Sequence, residues 1–402
     1  GVDPRGCPMS TPGPPAAGAP AAGPAPAARH AGWIELFFDL VFVAFVAQLA
    51  HGLHGDPGAR DFAVLLALYF PAWWMWANIT VAANLFADDG PRRRLAMLFA
   101  MLFLAAMAAA VPEADGDRGA AYALGYAGTR LVLLALWWPA TRATERRPVP
   151  RRRPLAYCLG FAVLWTASAA APASWRLAVW AVLVAAEMAL LLSSRGAGIP
   201  RPVHTGHLVE RVGLFVIIVL GESVLSVVTA TDATWTAEAG AVAVLGFVLL
   251  AALWWSYFDF ATTAAELVIG RSRMRDAYVL ARDVAGFLHY FVTFGIIALA
   301  AGLGTAVEDA GHEHLPQGAL WALGGGLALY HAAHAAIALR FGRPPRRIAV
   351  WAVPGIGVPL LIALAGRALA PWLVVLLLAA EAVGHLVYAE RRARSGWAAS
   401  LR

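Results

Sequence analysis

Glu35 and Asp39 stand four residues apart in the apolar run WIELFFDLVFVAFVAQLAHGL, which begins at Trp33. On a helix that spacing puts both carboxylates on one face. They fall in the first two turns, where the positive helix end favours anions. Such a pair could bind a cation or a proton at the mouth of a bundle. The competing reading is that the two acids cap the helix and pair with arginine. A second run, HLVERVGLFVIIVLGESVLSVV from His207, carries Glu210 and Arg211 at its entrance and Glu222 deeper. Glu210 and Arg211 read as a local charge pair. Glu222 lies about 18 Å further along the helix, with no cation near it in sequence. Gly221 and Ser223 flank it, residue types that permit close helix approach and hydrogen bonding. Glu222 is therefore expected to be protonated, ligated or paired with Arg130, the one arginine near the middle of an apolar run.

Further polar residues interrupt apolar runs. Asn78, Asn84 and Asp259 lie near the ends of two runs, and Glu187 and Glu381 lie within two others. Each ionisable group inside a spanning helix costs about 2.5–3.5 kcal/mol on insertion scales, so such groups face a bundle interior, pair or line a wet path. If these side chains face inward, they outline a polar cavity open toward the cytoplasm. For Glu187 and Glu381 the alternative is a symmetric structural pair. His331 and His334 stand three apart; His51 with His54, His204 with His207, and His312 with His314 are other close sets. Two imidazoles on one face suit a metal. No third ligand joins any pair within its own helix, so neither a metal site nor a cofactor is expected. Proton handling by His331 or His289 is the better-supported role for a histidine, against plain interhelical hydrogen bonding.

The elements that must position these groups follow from composition. Of 402 residues, 60% are hydrophobic and 14% charged, against about 45–50% and about 25% in soluble domains. Two cysteines, Cys7 and Cys158, exclude a disulfide scaffold. From residue 33 onward twelve apolar runs follow one another, at 33–53, 61–84, 94–111, 119–140, 155–171, 174–194, 208–229, 238–260, 280–303, 317–340, 348–366 and 371–389. Runs near twenty residues cross a hydrocarbon core as helices, and lipid tolerates no open strand edge. The expected fold is an all-α polytopic membrane protein of about twelve spans. The weakest span is 155–171, which is short and meets the next run at Pro172.

The formal charge is +6, and the basic residues are all arginine. They sit between apolar runs rather than on one face, which argues against nucleic acid. Arginines fill the even-numbered connections, at Arg92 to Arg94, Arg142 to Arg153, Arg195 and Arg201, Arg271 to Arg275, and Arg340 to Arg347. Acids such as Asp56, Glu113, Asp232 and Glu308 fill the odd ones. That alternation predicts an inner-membrane protein with both termini in the cytoplasm.

The chain also resembles itself. Trp73-Trp74 with Asn78 matches Trp254-Trp255 with Asp259; Arg92 and Arg94 match Arg273 and Arg275; Ala186-Glu187 matches Ala380-Glu381; Glu35 roughly matches Glu210. Two parallel six-helix halves, 31–200 and 201–394, are expected. Residues 1–30, rich in Pro, Ala and Gly, read as a disordered cytoplasmic tail with Met9 as the expected natural start, and 395–402 as a second tail.

The stretches IELFFDLVFVAFVAQLAHGL at 34–53 and ERVGLFVIIVLGESVLSVV at 210–228 resemble the signature stretches of the bacterial low temperature requirement A (LtrA) family. The resemblance covers roughly 30–394 and leaves the tail outside. It implies that Glu35, Asp39, Glu210, Arg211, Gly221 and Glu222 are the family's polar marks. It also implies a multi-helix membrane protein associated by name with growth in the cold. It implies no particular reaction or substrate.

No phosphate loop, no His-Glu-x-x-His and no Gly-x-Ser-x-Gly occurs, and no soluble domain is large enough for an ATPase. The leading expectation is thus not an enzyme but a secondary transporter-like protein, with a proton as coupling ion and an unidentified small molecule or ion as substrate. In that scheme Glu222 carries the proton, Glu35 and Asp39 hold a cation, and Arg130 is the counter-ion. The alternatives are a non-transporting structural or stress-response membrane protein, and an intramembrane metal enzyme built on His331 and His334. Beyond the bilayer no partner is named by the sequence, and oligomeric state is open.

Overall fold

The structure is a computed structural model, and it describes residues 32–85, 90–142, 150–193, 204–272 and 274–394. The expected tails at 1–30 and 395–402, and Arg195, Arg201 and Arg273, lie outside the described residues. Among the described residues, eleven helices are long and apolar enough to cross a membrane. In chain order they are α1 (Trp33–Gly52), α2 (Ala59–Leu85), α3 (Pro91–Glu113), α4 (Gly119–Trp137), α6 (Ala173–Ser193), α7 (Thr205–Thr234), α8 (Ala237–Gly270), α9 (Asp276–Glu308), α10 (Gln317–Arg340), α11 (Pro345–Ala368) and α12 (Pro371–Arg394). Between α4 and α6 lies α5, residues 152–168, an unbroken helical stretch made of a short α turn, a π turn at Leu155–Gly160 and a final α segment Phe161–Ser168. The chain is an all-α polytopic membrane protein.

Whether α5 crosses can be decided from its neighbours. Glu35 meets His207, Asp39 meets Arg211, and the Phe42 ring packs on Phe215 at 5.3 Å. Both members of each successive pair advance along the chain, so α1 and α7 run parallel. Parallel helices need an odd number of crossings between them. The helices α2, α3, α4 and α6 supply an even number, so α5 must be the fifth. Its shortness reflects its flanks: the Arg151 to Pro154 stretch at one end and Pro172 at the other bound the apolar stretch.

Several helices outrun the apolar runs that announce them. The run 208–229 becomes Thr205–Thr234, and 280–303 becomes Asp276–Glu308. Backbone hydrogen bonding continues into the interfacial zone, where polar side chains are tolerated but hydropathy has already fallen. Local chemistry sets the starts. Glu35 reaches back to accept the Gly32 N–H at 3.2 Å, Pro91 opens α3, and the Thr236 hydroxyl accepts the Ala239 N–H at 3.1 Å ahead of α8.

Lipid is as apolar as leucine, so close packing rather than burial from water must hold such helices together. The centre is an aromatic block from α1, α2, α7 and α9: Phe42, Tyr69, Trp73, Trp76, Phe215 and Phe294 are all buried. Glycines bring backbones together where α9 crosses α10. A Cβ on Gly295 would stand 2.7 Å from the Gly326 carbonyl oxygen, and one on Gly326 would stand 2.7 Å from that of Gly295. Leu98, Leu102, Val182, Leu361 and Leu364 face outward, as lipid-facing side chains should. Gly221 does not serve close approach, contrary to expectation, because a Cβ there would meet nothing within 4 Å.

Candidate functional site

The signature acids of α1 are locked into ion pairs with α3 and α7. Spacing by four on both α1 and α7 makes a two-rung ladder between parallel helices. On the first rung, Glu35 holds Arg93 through one oxygen and His207 Nε2 at 2.9 Å through the other. Asn84 fixes that imidazole. Its Oδ1 accepts the His204 N–H at 2.9 Å, so its amide nitrogen is the group 3.1 Å from His207 Nδ1. Nδ1 is therefore the acceptor, and Nε2 donates to Glu35. On the second rung, Asp39 and Arg211 form a two-point contact at 2.7 and 2.8 Å, and Trp76 Nε1–H donates to Asp39 Oδ1 at 2.7 Å. The Asp39 and Arg211 side chains are 1% and 0% exposed. The pairing reading of Glu35 and Asp39 is the one the geometry realises. Arg211 reaches across to α1 rather than along its own helix to Glu210, which is half-buried on α7.

Arg130 does not pair with Glu222. It pairs with Glu187 of α6, NH2 to Oε1 at 2.7 Å, with both side chains fully enclosed. The sequence offers Glu222 and Glu187 as equal partners. What decides is that α4 meets α6 directly, with the Tyr122 and Trp180 rings 5.0 Å apart. Tyr126 and Tyr157 hydroxyls donate to Glu187 at 3.1 Å each, the Arg130 guanidinium lies 4.3 Å over the Tyr157 ring, and it donates to the Tyr157 carbonyl at 3.0 Å. A buried pair with so many added hydrogen bonds offsets its desolvation. Glu222 is buried on α7, its Oε2 has no hydrogen-bond partner, and Ser223 bonds its own helix at the Val219 carbonyl.

Tyr157 connects this pair to open space. A cavity of about 520 Å³ lies between α2, α5, α6, α7 and α9. Its walls include Trp74, Asn78 and Tyr157, and its rim carries Arg152, Arg153 and Arg282. Trp74 Nε1–H donates to the Tyr157 hydroxyl at 2.9 Å, and the Asn78 amide donates to the Trp74 carbonyl at 2.7 Å. Two of the chain's π turns shape the walls, Leu155–Gly160 in α5 and Arg282–Leu288 in α9. A π turn adds a residue to a helix without ending it and often marks a functional position. Here it turns Tyr157 toward the cavity and leaves the Gly286 carbonyl free to accept Trp73 Nε1–H at 2.6 Å. Arg282 is held by Asp283 at 2.7 and 2.9 Å, and it is Arg152 and Arg153, beside an apolar, aromatic hollow, that suit an anion with an apolar body. Of the expected site residues, the cavity gathers Asn78 and, through Tyr157, touches the Arg130 and Glu187 pair.

The remaining residues lie elsewhere. Asp259 sits exposed in a π turn of α8 and accepts the Trp255 indole N–H at 2.7 Å. Trp254 and Trp255 are each 48% exposed, whereas Trp73 and Trp74 are buried, so the matched tryptophan pairs have different surroundings. His289 contacts the Tyr257 hydroxyl at 3.0 Å and the Val284 carbonyl at 2.8 Å. His334 bonds the Tyr330 carbonyl of its own helix at 2.9 Å and does not join His331. His331 turns to α12, where it meets Glu381 and His385. Sequence reasoning passed over Tyr157 and His385, read Arg93 only as a loop charge, and set His207 with His204 as a possible metal pair. For His207 a signal existed, since its spacing of four from Arg211 mirrors that of Glu35 and Asp39.

The family model of the bacterial low temperature requirement A protein (LtrA) matches residues 30–383. The chain belongs to this family. Both LtrA signature stretches, on α1 and α7, are joined by the ion-pair ladder. Among curated relatives, an uncharacterized protein of Rhizobium meliloti (strain 1021) is 29% identical over 280 residues, 67% of each chain.

Proposed function

We propose that this LtrA protein is a secondary transporter-like membrane protein whose substrate class is a small organic anion with an apolar body, admitted to the cavity between α2, α5, α6, α7 and α9. The observation that carries this reading is the arginine-rimmed, aromatic-walled cavity and its link through Tyr157 to the buried Arg130–Glu187 pair. Arg152 and Arg153 attract the anionic group, and Trp74 and Tyr157 pack its apolar part. An anion near Tyr157 competes with Glu187 for the tyrosine hydroxyl, which couples occupancy to the packing of α4, α5 and α6.

The reading revises the roles first expected. Glu35 and Asp39 are struts, not cation ligands, and Arg130 is the counter-ion of Glu187. Proton coupling falls to Glu222. Glu35, Asp39 and Glu187 each hold an arginine, whereas Glu222 makes no ion pair or hydrogen bond among the described residues, so it can exchange a proton without breaking one. The two-half arrangement belongs to the same proposal. It is supported by the parallel course of α1 and α7 and by the analogous pairing of α4 with α6 through Glu187 and of α10 with α12 through Glu381. So does an inner-membrane location with both termini cytoplasmic, supported by the arginine-rich connections.

One observation favours the second reading, a non-transporting structural protein: the acids of α1 are all held in fixed pairs. Uptake of 1-naphthalenesulfonate into proteoliposomes separates the two. This probe is permanently charged and does not cross lipid unaided. The transporter reading expects uptake, weakened about tenfold or more when Arg152 and Arg153 are both replaced by glutamine, and made insensitive to a proton gradient by Glu222→Gln. The structural reading expects no uptake above empty vesicles, and no stabilisation of the protein by the probe.

A further inference from the structure

Three helices meet around a second polar cluster, away from the cavity. His331 comes from α10, Glu381 and His385 from α12, and Gly355 of α11 packs against them. Glu381 and His385 are four apart and share a face. His331 Nε2 lies 3.4 Å from Glu381 Oε2, and His385 Nδ1 lies 2.8 Å from Glu381 Oε1. One ligand atom from each residue falls within 4.8 Å of the other two. The side chains of His331 and Glu381 are 7% and 5% exposed, and that of His385 is 16% exposed, so the cluster is enclosed but reachable on the His385 side.

The close contacts are not aligned as hydrogen bonds. Glu381 Oε1 and Oε2 and His331 Nε2 are buried without a hydrogen-bond partner. Leaving such atoms unsatisfied is costly. Atoms that crowd together without aiming at one another are arranged around a shared point. Two atoms held about 2.05 Å from one ion at a tetrahedral angle stand about 3.3 Å apart, which is the His331 to Glu381 separation. The 2.8 Å contact of His385 is to the other carboxylate oxygen, Oε1, and is not a ligand-to-ligand separation when Glu381 binds through Oε2.

His385 is oriented as a ligand should be. Its Nε2 lies 2.8 Å from the Trp351 carbonyl, which can only accept, so Nε2 carries the proton. A ligating imidazole that gives its other N–H to a backbone carbonyl is a recurrent second contact in metal sites. Nδ1 also meets the Glu381 backbone carbonyl at 3.2 Å, so it carries a proton in the metal-free protein, and a metal would take that lone pair by displacing the proton. Gly355 makes the arrangement possible, because a Cβ there would stand 2.9 Å from His385 Nε2 and 3.0 Å from His331 Cγ.

We propose that His331, Glu381 and His385 form a binding site for a divalent transition-metal cation of the zinc type. Two imidazole nitrogens and a carboxylate make a set that borderline cations favour over Mg²⁺ or Ca²⁺. Three protein ligands leave one position for water, so the site can hold a metal with an open coordination position. The rule that looked for a third ligand along one helix missed it because the third ligand comes from across the bundle.

Zinc content after loading and desalting of the protein in nanodiscs tests the site, together with the visible spectrum of the Co²⁺-loaded form. One metal ion per chain and the absorption bands of tetrahedral Co²⁺ are expected. His385→Ala and Glu381→Gln should each weaken binding at least about tenfold. Gly355→Ala keeps all three ligands but crowds the two rings, and should also weaken it. Zinc should raise the thermal midpoint of the wild type and not of the ligand variants. Wild-type protein that retains no zinc, with a midpoint indifferent to the metal, overturns the proposal and leaves a protonated imidazole on a carboxylate. Equal binding by wild type and the His331→Ala/His385→Ala double variant also overturns it and moves the metal to another set, such as His312 and His314. The wild-type measurement alone can refute the site, so the proposal does not depend on every variant folding.

Discussion

Replacing Arg211 by methionine would leave Asp39 with the Trp76 indole as its remaining donor and no ion-pair partner among the described residues. Removing one member of a buried pair costs about 3–5 kcal/mol, while replacing both costs much less, because no charge is then stranded. We therefore expect Arg211→Met to destabilise the protein by about 3–5 kcal/mol and Asp39→Asn/Arg211→Met to recover a large part of that loss. Glu222→Gln should change stability by less than about 1 kcal/mol, since no partner is lost. Reversible unfolding in mixed micelles measures all three, and equal losses for the single and double variants would show that the pair is not a strut. At this scale much was hidden in the sequence. That Glu35, Asp39, Glu187 and Glu222 must be paired or functional followed from hydropathy alone. Who pairs with whom did not: Glu35 and His207 are 172 positions apart, and Arg130 had two chemically equivalent acids to choose from. Only the helix packing breaks that tie.

Elements were more legible than partners. A span is announced by twenty apolar residues in a row, and no tertiary contact is needed to recognise it. What composition cannot show is a turn within a helix, so the π turns that form the cavity walls went unseen. Glycines illustrate the same limit. Gly221 and Gly326 look alike in apolar runs, yet a Cβ on one meets nothing within 4 Å and on the other meets the Gly295 carbonyl at 2.7 Å. Alanine has the better helix propensity by about 1 kcal/mol. Gly221→Ala should therefore be neutral or slightly stabilising, and Gly326→Ala should separate α9 from α10 and lower the thermal midpoint. Reversal of that order would mean that the α9–α10 crossing does not depend on backbone contact. The crossing of α5 has its own test. In protein without native cysteines, Arg142→Cys and Ala170→Cys should react with an impermeant maleimide from opposite sides of the membrane. Labelling from one side would put α5 in the interface and contradict the parallel course of α1 and α7.

For the molecule as a whole, the two kinds of polar site predict where it moves. The seam of α1, α2, α7 and α9 is filled with interlocked rings and crossed by ion pairs and hydrogen bonds, such as Tyr69 to Thr293 at 2.9 Å and Trp73 to the Gly286 carbonyl. Such a centre is bistable at best and does not deform gradually. The cavity rim is different. It is built from short α5, from π turns with poorer backbone hydrogen bonding, and from the exposed Arg152 and Arg153. Local opening draws on regions with few enclosed contacts and strained helical bonding. Amide exchange should thus be slow across Phe38 to Leu49 of α1 and the matching turns of α7, and faster at Leu155–Gly160 and Arg282–Leu288. Adding 1-naphthalenesulfonate should protect those two π turns together and leave α1 unchanged, because both turns line the occupied space and α1 does not. Protection spread through the seam would instead mean that the helix sets rock against each other around the aromatic block. In that case the ladder of Glu35, Asp39, His207 and Arg211 would be a hinge that breaks and reforms, and Arg211→Met would impair uptake beyond its effect on stability.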